Sequence, residues 1–185
     1  MTSMAGFVDW EEFAAHRLSK RRIVSLPDFE ISETCLKLKN LMELDQDQFT
    51  AAETLTDYCD AVDRVLKQFG TRLPTEDELE AAMACHLFPW GDELPSGSPY
   101  GNETEFKGHF KHSISGLIYN GDTYKTELTR SALKLGDGGE ALCGAYPWPM
   151  AWLALSPAYR IDSTEVLDDV LYEFMQDAEI RQVRL

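Results

Sequence analysis

The stretch Gly70-Thr71-Arg72-Leu73-Pro74-Thr75-Glu76-Asp77-Glu78-Leu79-Glu80-Ala81-Ala82, followed closely by Phe88-Pro89-Trp90-Gly91, decides the fold. Pro74 stops one element, and Thr75 with Glu78 three positions on has the spacing of the reciprocal hydrogen-bond box that opens a helix. That helix is expected over 75–85, with Leu79, Ala82 and Met83 on its buried side. Arg72 can pair with Glu76 or Glu78 through its planar fork of donors. Trp90, between proline and glycine at a turn, reads as a large core anchor.

Upstream, Thr50-Ala51-Ala52-Glu53 has the same box spacing, and Leu55, Tyr58, Cys59, Val62, Val65, Leu66 and Phe69 recur three and four residues apart. This pattern predicts a helix over 50–69, ended by Gly70 in the left-handed region. Further out, Trp10, Phe13, Ala14 and Leu18 predict a short helix over 9–18, and Ile23-Val24-Ser25-Leu26 a strand. Between 87 and 144 glycine and proline recur too often for long helices, so loops and short strands are expected there. Beyond, Asp162 or Ser163 can cap a helix carrying Val166, Leu167, Val170, Leu171, Phe174 and Met175, and 180–185 reads as a closing strand.

The 185 residues, 44% hydrophobic, have the size and composition of one domain, so a single domain over 1–185 is expected. A formal charge of −15, from 32 acidic and 17 basic residues, repels phosphate backbones and anionic lipid. Neither nucleic acid nor a membrane is therefore expected as a partner. No run reaches the roughly 18 apolar residues of a membrane helix, and no basic start leads into an apolar run and a cleavage site. Cys35, Cys59, Cys85 and Cys143 are widely spaced and include no C-x-x-C pair, which fits a reducing compartment. The cytoplasm is the expected location.

Arg72-Leu73-Pro74-Thr75-Glu76, the short helix after it and the Pro89-Trp90-Gly91 turn together closely resemble the signature of the formylglycine-generating enzymes, the sulfatase-modifying factor family. The resemblance extends to 24–31, similar to that family's opening strand, to Tyr58-Cys59 in its first long helix, and to 179–184, similar to its closing strand. It implies an α+β, C-type-lectin-like fold: a small twisted antiparallel sheet, two helices and long irregular loops. It also implies a chemistry, because in the family two cysteines five residues apart bind copper and use oxygen to oxidise a substrate cysteine. Gly138-Gly139-Glu140-Ala141-Leu142-Cys143 resembles the approach to the first thiol, so Cys143 falls at that position, while Trp148 stands at the second. Copper(I) prefers soft thiolates, and an indole offers no lone pair in their place. Cys59 and Cys85, on the buried faces of the expected helices, read as small core hydrophobes.

Residues 116–125 are similar to the family's calcium-binding block. Asp122 keeps an oxygen there, but Lys125 puts a cation where the family has a glutamate, so the calcium site is expected to be weakened or lost. His109 and His112, with Glu103, Glu105 or Asp122, have the makings of a two-histidine, one-carboxylate iron site, against which stands the plain reading of a surface pair in a loop. The expected function is that of a divergent family member without copper-dependent cysteine oxidase activity. It needs no cofactor and binds a small-molecule, peptide or protein ligand through its loop region, with Tyr146, Trp148 and Trp152 as binding aromatics. The alternative is a metal- and oxygen-dependent enzyme with rewired copper, iron or calcium ligands, acting on an amino-acid or peptide substrate in a biosynthetic pathway. Cys143 is the candidate catalytic residue on that reading.

Overall fold

Capped helices and very short strands, joined by long stretches of turn, make up the computed structural model, which describes residues 10–95, 112–119, 121–138, 147–162, 171 and 175–184. In chain order the elements are α1 (Trp10–Arg17), β1 (Leu36–Lys37), α2 (Leu38–Met42), α3 (Gln46–Thr50), α4 (Leu55–Lys67), β2 (Thr71–Arg72) and α5 (Glu76–Ala82). They continue with β3 (Glu127–Leu128), β4 (Ala132–Lys134), α6 (Trp148–Leu153), β5 (Ile161–Asp162), β6 (Glu179–Ile180) and β7 (Val183–Arg184). The protein is α+β, and no helix among the described residues is long and apolar enough to cross a membrane.

The long helix α4 starts four residues later than its sequence spacing predicts. Thr50 closes α3, where its hydroxyl donates to the Gln46 carbonyl at 2.8 Å, and the box is made by Thr54 and Asp57 instead. The Thr54 hydroxyl accepts the Asp57 N–H at 3.2 Å, and the Asp57 carboxylate accepts the Thr54 N–H at 2.9 Å. Two consecutive Thr-x-x-acid spacings compete here, and the one adjoining Leu55 wins because it lets the apolar face begin at once. Leu55, Tyr58, Cys59, Val62, Val65 and Leu66 are buried as expected. Phe69, beyond the last helical turn, is 64% exposed, and Gly70 closes the helix at φ +71°.

Helix α5 opens as its sequence spacing predicts. The Thr75 hydroxyl accepts the Glu78 N–H at 3.2 Å, and Glu78 accepts the Thr75 N–H at 2.8 Å. Arg72 makes a two-pronged pair with the same carboxylate at 2.7 and 2.6 Å. The Arg72 guanidinium and the Thr75 amide hold the buried Glu78 carboxyl below the usual carboxylate range. A depressed carboxyl contributes stability that is complete above its unfolded value of about 4.3 and is lost as pH falls through the folded one. Glu78→Gln is therefore expected to cost on the order of 1–3 kcal/mol at neutral pH and to flatten the fall in melting temperature below about pH 4. Melting curves measured from pH 7 to pH 3 check this; parallel curves for parent and variant would refute it. The helix ends at Ala82, earlier than expected, because Ala84 and Cys85 turn to φ +62° and +53°. Cys85 is exposed in consequence, and only Cys59 fills the core position foreseen for both.

The strands form a five-stranded sheet in the order β1-β6-β3-β4-β5 and a two-stranded sheet of β2 and β7. All pairs are antiparallel except β3 with β6. Alternation along the strands gives the large sheet two different faces. Leu128, Leu133 and Ile180 are fully buried in the cluster that also holds Leu55, Val62, Leu66 and Trp152. Glu127 and Lys134, opposite one another in register, are buried on the other face. A second, smaller cluster of Leu79, Met83, Leu117, Tyr119 and Leu135 adjoins the first, and Trp90 packs against both.

Two further expectations change, and a third falls mostly outside the described residues. Residues 23–26 form no strand; Ile23 is fully exposed and Val24 is 44% exposed, because no neighbouring strand pairs with them before the bridge of Ile31 with Val183. Asp162 pairs with Ala132 inside β5, and the helix expected after it, with Ser163, Val166, Leu167, Val170 and Phe174, falls mostly outside the described residues, whereas Leu171 and Met175 are buried as foreseen. The closing strand splits into β6 and β7, in separate sheets, because the chain turns at Arg181 to bury its side chain.

Candidate functional site

The turn after α5 is fixed by local chemistry. Phe88 and Gly91 exchange backbone hydrogen bonds at 2.9 and 3.0 Å, with Gly91 at φ +123°. The Asp92 carboxylate accepts the Leu87 N–H at 2.8 Å and meets His86 Nδ1 at 3.1 Å. These two contacts hold the Asp92 carboxyl below its ordinary range. Trp90 lies at the corner, stacked on Phe88 with ring centroids 4.6 Å apart and edge-on to Trp152 at 5.9 Å. Its indole N–H donates to the Glu93 carbonyl at 3.0 Å, which leaves the ring half-buried rather than enclosed.

A second loop docks on this turn. The Ile114 N–H donates to the Pro89 carbonyl at 2.8 Å, and the Ile118 N–H to the Glu33 carbonyl at 2.9 Å. Ile114 Cδ1 comes so close to Gly91 that a β-carbon there would stand 3.3 Å away. The two joined loops expose Leu87 at 42%, Leu94 at 39%, Ile114 at 56% and Ile118 at 41%. Single exposed aliphatic residues are ordinary; these four stand on two mutually braced loops. Leu87, Leu94, Ile114 and Ile118 carried no sequence signal, since loop residues have no periodicity.

The residues singled out from sequence are placed differently. Cys143, Tyr146 and His109 lie outside the described residues, as does the side chain of Trp148, which opens α6. Trp152 is 2% exposed, packed edge-on against Trp90, and so sits in the core rather than on a surface. His112 is exposed, with Nδ1 3.4 Å from the Gly116 carbonyl oxygen. Asp122 braces its own turn by accepting the Tyr124 N–H at 3.0 Å, and Lys125 faces Glu179 at 3.9 Å. Among the described residues no group of three or more histidine, cysteine, aspartate or glutamate side chains is gathered as metal ligands would be.

Two of the thiols have partners of their own. Cys35 Sγ donates to Glu127 Oε1 at 3.2 Å, and burial followed by the Glu127 charge pushes its thiol far up. Cys59 Sγ donates to the Thr129 carbonyl at 3.2 Å, and burial, with Asp63 nearby, pushes its thiol up to about 12. Both stay protonated at neutral pH, whereas a metal ligand or nucleophile must be a thiolate.

The buried face of the sheet is charged and fully engaged. Arg181, with no exposed surface, donates to both Glu127 oxygens at 3.1 and 2.8 Å and to the carbonyls of Ser32, Glu33 and Ile118 at 3.1, 2.7 and 2.8 Å. It thereby ties residue 181 to the 32–33 segment and to the loop that carries Ile118. Asp63 likewise accepts the Leu73 N–H at 2.8 Å and pairs with Arg130 at 3.3 Å. No protein-family model, curated protein or solved structure matches the chain.

Proposed function

We propose that this chain is a divergent formylglycine-generating-enzyme-like domain, with a C-type-lectin-like arrangement, that recognises a peptide or protein partner through its loops and does not oxidise cysteine by the copper route. The observation that carries the reading is the exposed aliphatic set Leu87, Leu94, Ile114 and Ile118 on two loops bonded to each other. The braced loops hold these side chains ready, so little ordering entropy opposes binding. The chain's net charge of −15 favours a partner whose apolar segment is flanked by lysine or arginine. Against copper chemistry stand Trp148 at the second thiol position and the protonated, hydrogen-bonded state of Cys35 and Cys59.

The test is selection of displayed peptides on the purified protein, followed by affinity measurement with an Ile114→Asp variant. Ile114 is exposed, so the fold tolerates the change. Covering one such side chain is worth about 1.5–3 kcal/mol, and the expected result is at least tenfold weaker binding of basic-flanked apolar peptides with an unchanged circular dichroism spectrum. Selected peptides that bind parent and variant equally would refute the loop surface.

A further inference from the structure

The β-leaning stretch Ile23-Val24-Ser25-Leu26 pairs with no strand and stands out from the body of the molecule. Residues 20–25 are all exposed, Ile23 fully and Val24 at 44%. Residues 23–29 make no hydrogen bond among the described residues, so their backbone donors and acceptors are open to a second molecule. The segment is nevertheless held at both ends. At one end the Ser19 N–H donates to the Ala158 carbonyl at 2.7 Å, and Arg22 pairs with Asp77 and Glu80. At the other the Arg184 N–H donates to the Glu30 carbonyl at 3.0 Å, and Ile31 bridges to Val183. An extended segment fixed in this way loses little freedom on being bound.

Its charge is opposite to that of the molecule. Lys20-Arg21-Arg22, three successive cations in a chain of −15, run directly into Ile23. Arg22 is engaged on α5, but Lys20 and Arg21 are exposed, and Arg21 has no pairing partner among the described residues. The apolar loops carry the complementary sign. Asp92 and Glu93, next to Leu94, are exposed, as is Glu33, whose carbonyl accepts the Ile118 N–H. Residues 86–95 and 112–118 contain no lysine or arginine.

A basic-flanked apolar segment is what the loop surface is read as taking, and the chain carries one itself. Within one molecule the segment leaves the loops uncovered, since Ile23 is fully exposed and Leu87, Leu94, Ile114 and Ile118 are open as well. Ile31 packs against the cluster that holds Leu117, so the far end of the segment stands beside the loops. A two-fold contact needs such neighbouring, mutually complementary patches on one molecule.

We propose, resting on the loop reading above, that the partner of the loop surface is a second copy of this chain, which lays its residues 20–26 across Leu87, Leu94, Ile114 and Ile118 and receives the same segment in return. The exchange gives two equal contacts and a closed dimer. Like net charges oppose the approach of two copies at long range. Salt of about 0.15 M confines that repulsion to about 8 Å, within which the facing groups are of opposite sign.

The experiment is sedimentation equilibrium of the full chain over a concentration series in about 0.15 M salt. The parent is expected to associate reversibly to a dimer. Ile23→Asp and Ile114→Asp are each expected to dimerise at least tenfold more weakly, and Arg21→Glu more weakly than the parent. Melting temperatures at low concentration are expected to stay unchanged, because all three side chains are exposed. An equimolar mixture of Ile23→Asp and Ile114→Asp keeps one intact contact, the segment of the second on the loops of the first, and is expected to associate more tightly than either variant alone. A parent that stays monomeric throughout, undiminished dimerisation in any of the three variants, or no gain on mixing would overturn the proposal. Peptides selected on the loops of a parent that stays monomeric sink this proposal alone; neither bound peptides nor a dimer would sink the loop reading with it.

Discussion

Arg181→Met is expected to destabilise the protein by about 3–5 kcal/mol, the range for breaking a buried ion pair from one side. The guanidinium is fully buried and makes five hydrogen bonds, two to the 3%-exposed Glu127 carboxylate and three to backbone carbonyls. Methionine fills part of the volume but leaves a buried charge, removes the donor that Ser32 and Ile118 offer their carbonyls to, and takes one of two donors from the Glu33 carbonyl. Much of the cost belongs to the stranded carboxylate, so adding Glu127→Leu is expected to recover part of it. Urea unfolding of the single and double variants measures both effects. A single-variant cost below about 1 kcal/mol would mean that water reaches Glu127 and that the network does not hold the chain end in place.

Gly136→Ala is expected to be at least as damaging, through the backbone rather than through charge. Gly136 sits at φ +150°, and a β-carbon there would lie 1.5 Å from the Lys125 carbonyl oxygen and 2.7 Å from its carbon. The neighbouring Asp137 N–H donates to the Thr123 carbonyl at 2.9 Å, so the 121–125 turn cannot withdraw without losing that bond. The loss is expected to exceed about 4 kcal/mol, and the variant is expected to accumulate unfolded. Gly70→Ala is the control: its φ is also positive, but nothing lies within 4 Å, so only strain of about 1–2 kcal/mol is expected. Equal melting temperatures for the two variants would contradict the close approach at Gly136.

What could be read in advance was local. The Thr75–Glu78 box, the apolar stripe of α4 and the left-handed Gly70 depend on residues within one or two turns of each other, and sequence spacing reports such relations directly. The start of α4 was misread because Thr50 and Thr54 offer similar spacings and only packing chooses between them. Partners such as Glu127 and Arg181, 54 positions apart, meet through sheet pairing that no periodicity encodes. The same limit applied to the aromatics: Trp152 and Trp90 look alike in a sequence, yet one is enclosed and the other half-open. Ile114 and Ile118, in a glycine- and proline-rich region, gave no sign that they stand outward on braced loops.

Recognition without oxidation is tested most directly with a cysteine-containing peptide selected on the loop surface. The peptide is incubated with the protein, copper(I) and oxygen, and its side chain is followed by mass spectrometry. The peptide is expected to bind the parent and Cys143→Ser alike and to bind Ile114→Asp at least tenfold more weakly. Its thiol is expected to be lost no faster with either parent or Cys143→Ser than without protein. Formylglycine formed by the parent and absent with Cys143→Ser would contradict the account and make the chain an oxidase.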